Sequence, residues 1–101
     1  MMIMVYITCK NNAEANMISK HLINKRLVAC ANIFPIKSIY RWKGKIVNDK
    51  EVVIIAKTLK NKFEKIKKEV KAIHSYKIPC IEMFNTKANK GYEKWIGGEV
   101  R

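Results

Sequence analysis

The sequence predicts an α+β fold of the ferredoxin-like type. Its plan is βαββαβ, with an antiparallel four-stranded sheet, two helices on one face and a short C-terminal helix. Three observations carry this. Runs with two-residue alternation are separated by runs with helical spacing. The second and third strand-like runs are joined by Lys43-Gly44-Lys45, the mark of a hairpin. Helix-start signals of the form Asn-x-x-Glu occur twice, at Asn11–Glu14 and Asn61–Glu64.

Met2 to Thr8 alternates β-branched and aromatic residues and reads as the first strand. The first helix follows its Asn cap, presents Ala15, Ile18 and Leu22 at helical spacing, and ends near Lys25-Arg26. Those cations suit the negative end of the helix dipole. Val28 to Trp42 reads as a long strand. Pro35 lacks the N–H a ladder needs, so a bulge or a sheet edge is expected there. Ile46 to Thr58 is the return strand. The second helix buries Phe63, Ile66, Val70 and Ile73 and turns Lys65, Lys68 and Glu69 outward. Ile78 to Asn85 reads as the fourth strand. Asn89 to Ile96 reads as a final helix stopped by Gly97-Gly98.

The 101 residues are expected to form one domain spanning 1–101. No apolar run reaches the roughly 18–20 residues of a membrane span. The first strand has neither a basic leader nor a small-residue cleavage site, so it is not read as a signal peptide. The three cysteines, an odd number, favour free thiols in a reducing cytoplasm over a disulfide framework.

A four-stranded sheet with helices on one face normally leaves the other face wet. Here Ile3, Val5 and Ile7 oppose Met4 and Tyr6, and Val52 and Ile54 oppose Val53 and Ile55. Both faces are apolar, which predicts that a partner subunit covers the second one.

The net charge of +13 admits an anionic partner such as nucleic acid. Lysine far outnumbers arginine, however, and the lysines are scattered over every element. A nucleic-acid surface clusters its charge and uses arginine for bidentate contacts. Nucleic-acid binding is therefore not expected. The sheet of an RNA-recognition domain would also need stacking aromatics, which Val52-Val53-Ile54-Ile55-Ala56 lacks. No Ser/His/Asp set, phosphate loop or paired-carboxylate pattern marks an enzyme. Acylphosphatase shares the strand order, but its Gly-rich loop and catalytic arginine are missing.

The residues able to hold a metal are Cys9, Cys30, Cys80, His21 and His74, none at the close spacing of a zinc site. Cys9 lies beside a helix start, which favours thiolate. Cys30, in Ala29-Cys30-Ala31, reads as a small core residue, and His21 as a solvated surface residue. Thiols and imidazoles suit copper, zinc and similar borderline cations. Trp42, Tyr76 and Trp95, with Tyr40 and Tyr92, offer large rings with polar tips for a ligand-binding wall, anchored by Lys57 and Thr58. Glu51 is expected to pair with a lysine across the hairpin.

Five patches in one order resemble the CutA family, named for divalent-cation tolerance. They are Ala29-Cys30-Ala31-Asn32 with Pro35; Tyr40-Arg41-Trp42-Lys43-Gly44; Glu51 with Lys57-Thr58; His74-Ser75-Tyr76-Lys77-Ile78-Pro79; and Tyr92-Glu93-Lys94-Trp95-Ile96. The resemblance implies a homotrimer built around a threefold axis, with long hairpin strands pairing across subunits. It implies a weakly bound divalent cation, copper (Cu2+) first, that is not required for folding. It places that cation at His74, which matches the family's copper histidine. The family pattern His-Pro-Tyr-x-x-Pro-Glu is altered here at Ser75 and Cys80. A cysteine that some members carry at the end of the first strand aligns with Ile7, leaving Cys9 as a near neighbour, and a further histidine aligns with Ile73. A PII-like trimeric sensor, holding a small anion or a protein partner in inter-subunit clefts, is the alternative expectation.

Overall fold

A computed structural model describes residues 1–101. The elements run β1 (Met2–Cys9), α1 (Asn12–Asn24), β2 (Cys30–Trp42), β3 (Lys45–Leu59), a 3-10 turn (Lys60–Lys62), α2 (Phe63–Ile73), β4 (Ile81–Asn85) and α3 (Lys90–Glu99). The strands form one antiparallel sheet in the order β2-β3-β1-β4. This is the expected α+β plan.

Register decides what each face buries. Ile3, Val5, Ile7 and Cys9 pair with Thr58, Ala56, Ile54 and Val52, and this face meets α1 and α2. Ile18, Leu22, Ile66 and Val70 pack on it, all fully buried. The branched strand residues fit a pleated surface, and the helices close it with side chains at i, i+4 spacing.

The opposite face carries Tyr6, Phe34, Ile55 and Phe84, with Phe34 and Phe84 exposed. Tyr6 meets Phe84 edge-on at 6.5 Å. One end of this face is covered by α3, whose Ile96 packs with Val100 on Met2. The apolar open face expected from the sequence is therefore present, with Phe34 and Phe84 on its outer strands left exposed by this chain.

β1 reaches only as far as Val52, so Ile36–Trp42 and Lys45–Glu51 continue past it as a two-stranded arm. The arm helps to extend the molecule to 45 Å in its long direction against 25 and 21 Å in the others. Its turn residues Lys43 and Gly44 have φ of 50° and 79°. Positive φ at both central residues marks the type I′ turn that matches strand twist.

Helix ends follow local chemistry. Asn11 Oδ1 accepts the Glu14 amide at 2.9 Å, capping α1. At the other end Arg26 takes φ 59°, and the Leu27 amide bonds Leu22 O while the Arg26 amide bonds Ile23 O. This is a Schellman closure with arginine at the usual glycine position.

Of the bulge or edge expected at Pro35, the edge is what forms: β2 is an edge strand, and it pairs with β3 without a break from Cys30↔Lys57 to Trp42↔Lys45. Three other expectations need correction. The fourth strand begins at Ile81 rather than Ile78, because residues 74–80 are held by side-chain bonds instead of a ladder. Gly97 and Gly98 lie inside α3, which runs on to Glu99. Asn61 does not cap α2; it sits in the 3-10 turn, and α2 starts at Phe63 without a side-chain cap.

Candidate metal centre and adjoining cleft

Three donors from distant parts of the chain converge. Cys9 closes β1, Glu14 sits in the first turn of α1, and His74 follows α2. Their thiol, carboxylate and imidazole ligand atoms all lie within 4.8 Å of one another. The fold brings them together because β1 ends where α1 begins, while α2 returns to the same end of the sheet.

Two of the donors already have work to do. Glu14 Oε1 accepts the Lys10 amide at 3.0 Å, and Oε2 accepts the Ser75 amide at 2.8 Å. His74 Nε2 lies 2.8 Å from the Thr8 carbonyl, and Nδ1 lies 3.0 Å from the Tyr76 amide. A carbonyl only accepts and an amide only donates, so these contacts require the neutral imidazole with its proton on Nε2. The His74 ring has no exposed surface and lies 3.9 Å from Glu14.

Electrostatics complete the description. Burial alone would raise the Glu14 carboxyl, but hydrogen bonds from Ser75 and Lys10 hold it below its ordinary value. The Cys9 thiol is pushed up to about 12, by burial first and then by Glu14 and Glu51. The expected thiolate is thus corrected. A helix start lies nearby, but a fully buried sulfur beside two carboxylates keeps its proton.

These donors fit a borderline cation in type and in mutual spacing. The cost is equally visible. Binding must take the Nδ1 lone pair from the Tyr76 amide and the proton from Cys9.

Beyond His74 the chain crosses to the open face. The Tyr76 hydroxyl donates to Glu51 Oε2 at 2.6 Å, and Glu51 is only 8% exposed. The expected Glu51–lysine pair is replaced by this contact. Burial and the Glu51 carboxylate push the Tyr76 phenol up. Between Tyr76 and the arm opens a cleft of about 520 Å³, whose lining includes Tyr40, Trp42, Asp49, Glu51 and Lys77.

The aromatic wall is split within one chain. Tyr76 and Trp42 border the cleft, whereas Lys57 lies over the Tyr92 ring at 5.5 Å and Tyr92 packs on Trp95 at 5.6 Å. Lys57 is six residues along β3 from Glu51, about 20 Å of strand. Thr58 is fully buried and donates to the Leu27 carbonyl, so it serves the fold.

Other residues also differ from their expected roles. Cys30 is half-buried beside Tyr92 and stands apart from the main core. His21 is no free surface residue: its Nε2 lies 2.8 Å from Glu69 Oε1, so Glu69 faces α1. Sequence reasoning missed Glu14 as a donor because its cap role explained it, and missed Asp49 altogether. A carboxylate at N3 of a helix that starts right after a cysteine was the available signal.

Comparison with known proteins places this geometry in context. The family model described as CutA1 divalent ion tolerance protein matches residues 3–99. The chain is 51% identical to the divalent-cation tolerance protein CutA of Archaeoglobus fulgidus over 77 residues, 76% of each chain. It is 39% identical to the protein of that name from Thermus thermophilus over 94 residues, 91% of each. The solved structure of the periplasmic divalent cation tolerance protein CutA from Archaeoglobus fulgidus superposes with a TM-score of 0.98 at 43% identity, covering both chains in full.

Proposed function

The chain belongs to the CutA1 divalent ion tolerance family, and from that membership we propose that it acts in metal tolerance as a homotrimer that binds a divalent cation, copper first, weakly at His74, Cys9 and Glu14. The observation that carries the reading is the convergence of a thiol, a carboxylate and an imidazole within 4.8 Å. When bound, the cation supplies a Lewis-acidic centre for those donors. His74 would offer Nδ1 after releasing the Tyr76 amide, while Nε2–H stays on the Thr8 carbonyl and fixes the ring. Glu14 would share an oxygen that now accepts from Ser75. Cys9 would lose a tightly held proton. Weak binding follows from these displaced partners.

The apolar open face and the protruding arm support the homotrimer, since both leave apolar side chains exposed in one chain. The reading is non-enzymatic, in line with relatives named for tolerance. No helix is long and apolar enough to cross a membrane. Cytoplasmic residence is part of the proposal, supported by three cysteines that form no disulfide. The periplasm named for the Archaeoglobus structure is the rival compartment, and cell fractionation decides between them. The charge of +13 is read as scattered lysine, so no retention on DNA at physiological salt is expected.

Equilibrium titration with Cu(II) tests the site in wild type, His74→Ala and Cys9→Ala, with folding checked by circular dichroism. Loss of binding in folded variants supports it; equal binding by all three removes these residues.

The split aromatic wall supports a second reading, a PII-like trimeric sensor holding a small anion or a protein partner between subunits. Trp42 and Tyr76 would meet Lys57 and Trp95 only across subunits, because one chain holds the two groups apart. A thermal-shift screen of nucleotides and phosphates that finds no ligand ends its anion form.

A further inference from the structure

The cleft between Tyr76 and the β2–β3 arm gathers acidic groups in a basic protein: two carboxylates line it against one cation, Lys77, which forms no ion pair with either. Lys and Arg total 21 against 8 Asp and Glu in the chain, yet two of those eight, Asp49 and Glu51, line this one cleft. Neither takes part in any of the chain's ion pairs. Glu51 is a carboxylate 8% exposed with no cation on it and one donor, the Tyr76 hydroxyl, an arrangement that costs free energy unless a further donor or a counter-charge arrives.

Each carboxylate is oriented by a phenol rather than by a base. Tyr76 donates to Glu51 Oε2 at 2.6 Å, and Tyr40 donates to Asp49 Oδ2 at 3.1 Å. The other oxygen of each, Glu51 Oε1 and Asp49 Oδ1, takes no donor from the protein. The same two rings, with Trp42, form walls of the cleft. Aromatic faces beside free carboxylate oxygens are the chemistry that recognises an organic cation. A metal ion is a poorer occupant, because the one convergent set of metal-type donors is Cys9, Glu14 and His74.

We propose that this cleft binds an alkylammonium group, held by the free oxygens of Glu51 and Asp49 and by the rings of Tyr40, Trp42 and Tyr76. The group has two sources of the same chemistry: a free small amine, or a lysine side chain of a second copy of this chain. The proposal is independent of the metal site and opposes an anion in this cleft.

The test uses calorimetric titration of the full chain with n-butylammonium at constant ionic strength, and with butyrate in parallel. Sedimentation equilibrium is run on the same samples. Asp49→Asn and Glu51→Gln are compared with wild type; Asp49 is half-exposed on the arm, so its variant folds even if the Glu51 variant does not. For a free amine, wild type binds butylammonium, each folded variant binds it at least about fivefold more weakly, and the oligomer mass is unchanged. For a lysine of a second copy, added amine does not bind the assembly, and Asp49→Asn weakens association by a similar factor. Equal binding by variant and wild type, binding of butyrate instead, or no amine binding together with unchanged association would each overturn the proposal.

Discussion

The Tyr76 hydroxyl lies 2.6 Å from the Glu51 carboxylate, and this single bond pins the loop after α2 to the face of the sheet that α1 and α2 leave open. Tyr76→Phe removes the donor and leaves a largely buried carboxylate without it. The expected loss is about 1–3 kcal/mol, and Glu51→Gln, which keeps an acceptor, should lose less. Urea unfolding midpoints for the two variants measure the difference. A Tyr76→Phe protein as stable as wild type would make the contact incidental.

Stability should fall at alkaline pH. Burial raises Cys9 to about 12 and Cys80 to about 11, with Glu82 next in importance at Cys80, and burial with Glu51 raises Tyr76. Each group holds its proton more tightly folded than unfolded, so the unfolded chain loses protons first. The stability they confer is whole below the ordinary thiol value of 9.0 and is lost as pH climbs towards about 12. Denaturation midpoints taken between pH 8 and pH 11 should decline steadily.

The same burial predicts slow thiol chemistry. At pH 8 Cys9 should resist alkylation in the folded protein and react once denaturant is added. Peptide mapping after a timed pulse of iodoacetamide reads this directly. Fast modification of folded Cys9 would contradict the buried, protonated sulfur.

Gly97 and Gly98 sit within α3, and a methyl added at either would meet no atom within 4 Å. Replacement by alanine removes the backbone entropy cost of glycine in a helix. Each change should stabilise by about 0.5–1 kcal/mol. Thermal melting of the single variants checks both.

Lys43 holds φ 50° at the first central position of the hairpin turn. Asparagine tolerates that conformation better, so Lys43→Asn should add about 0.5 kcal/mol or more. A lower melting temperature would show that the lysine side chain earns its place by another contact.

Most of the fold was legible because period-two and helical spacing are written locally: β1, α1, β2 and β3 each differ from expectation by two residues or fewer at an end. Residues 78–80 were misread as strand because the order of the segment 74–80 comes from Glu14, Thr8 and Glu51, far away in sequence. Ile78-Pro79 looks strand-like, and no local rule announces that distant side chains have captured the neighbouring amides. The end of α3 was misread for a related reason. Two glycines weaken a helix by about 1 kcal/mol each, but Ile96 and Val100 docking on Met2 outweighs this. His74 and Cys9 were visible as residue types, whereas the third donor was hidden by a sufficient local explanation, the cap.

The unbroken pairing of the arm has a consequence for how its length can vary. From Cys30↔Lys57 to Trp42↔Lys45 every step on one strand is matched by one on the other. One inserted residue would turn every later side chain to the wrong face. Growth or shortening is therefore quantised: two residues in β2 with two in β3, about 7 Å of reach per step, and the faces stay in phase. An odd insertion is an all-or-none defect rather than a graded one.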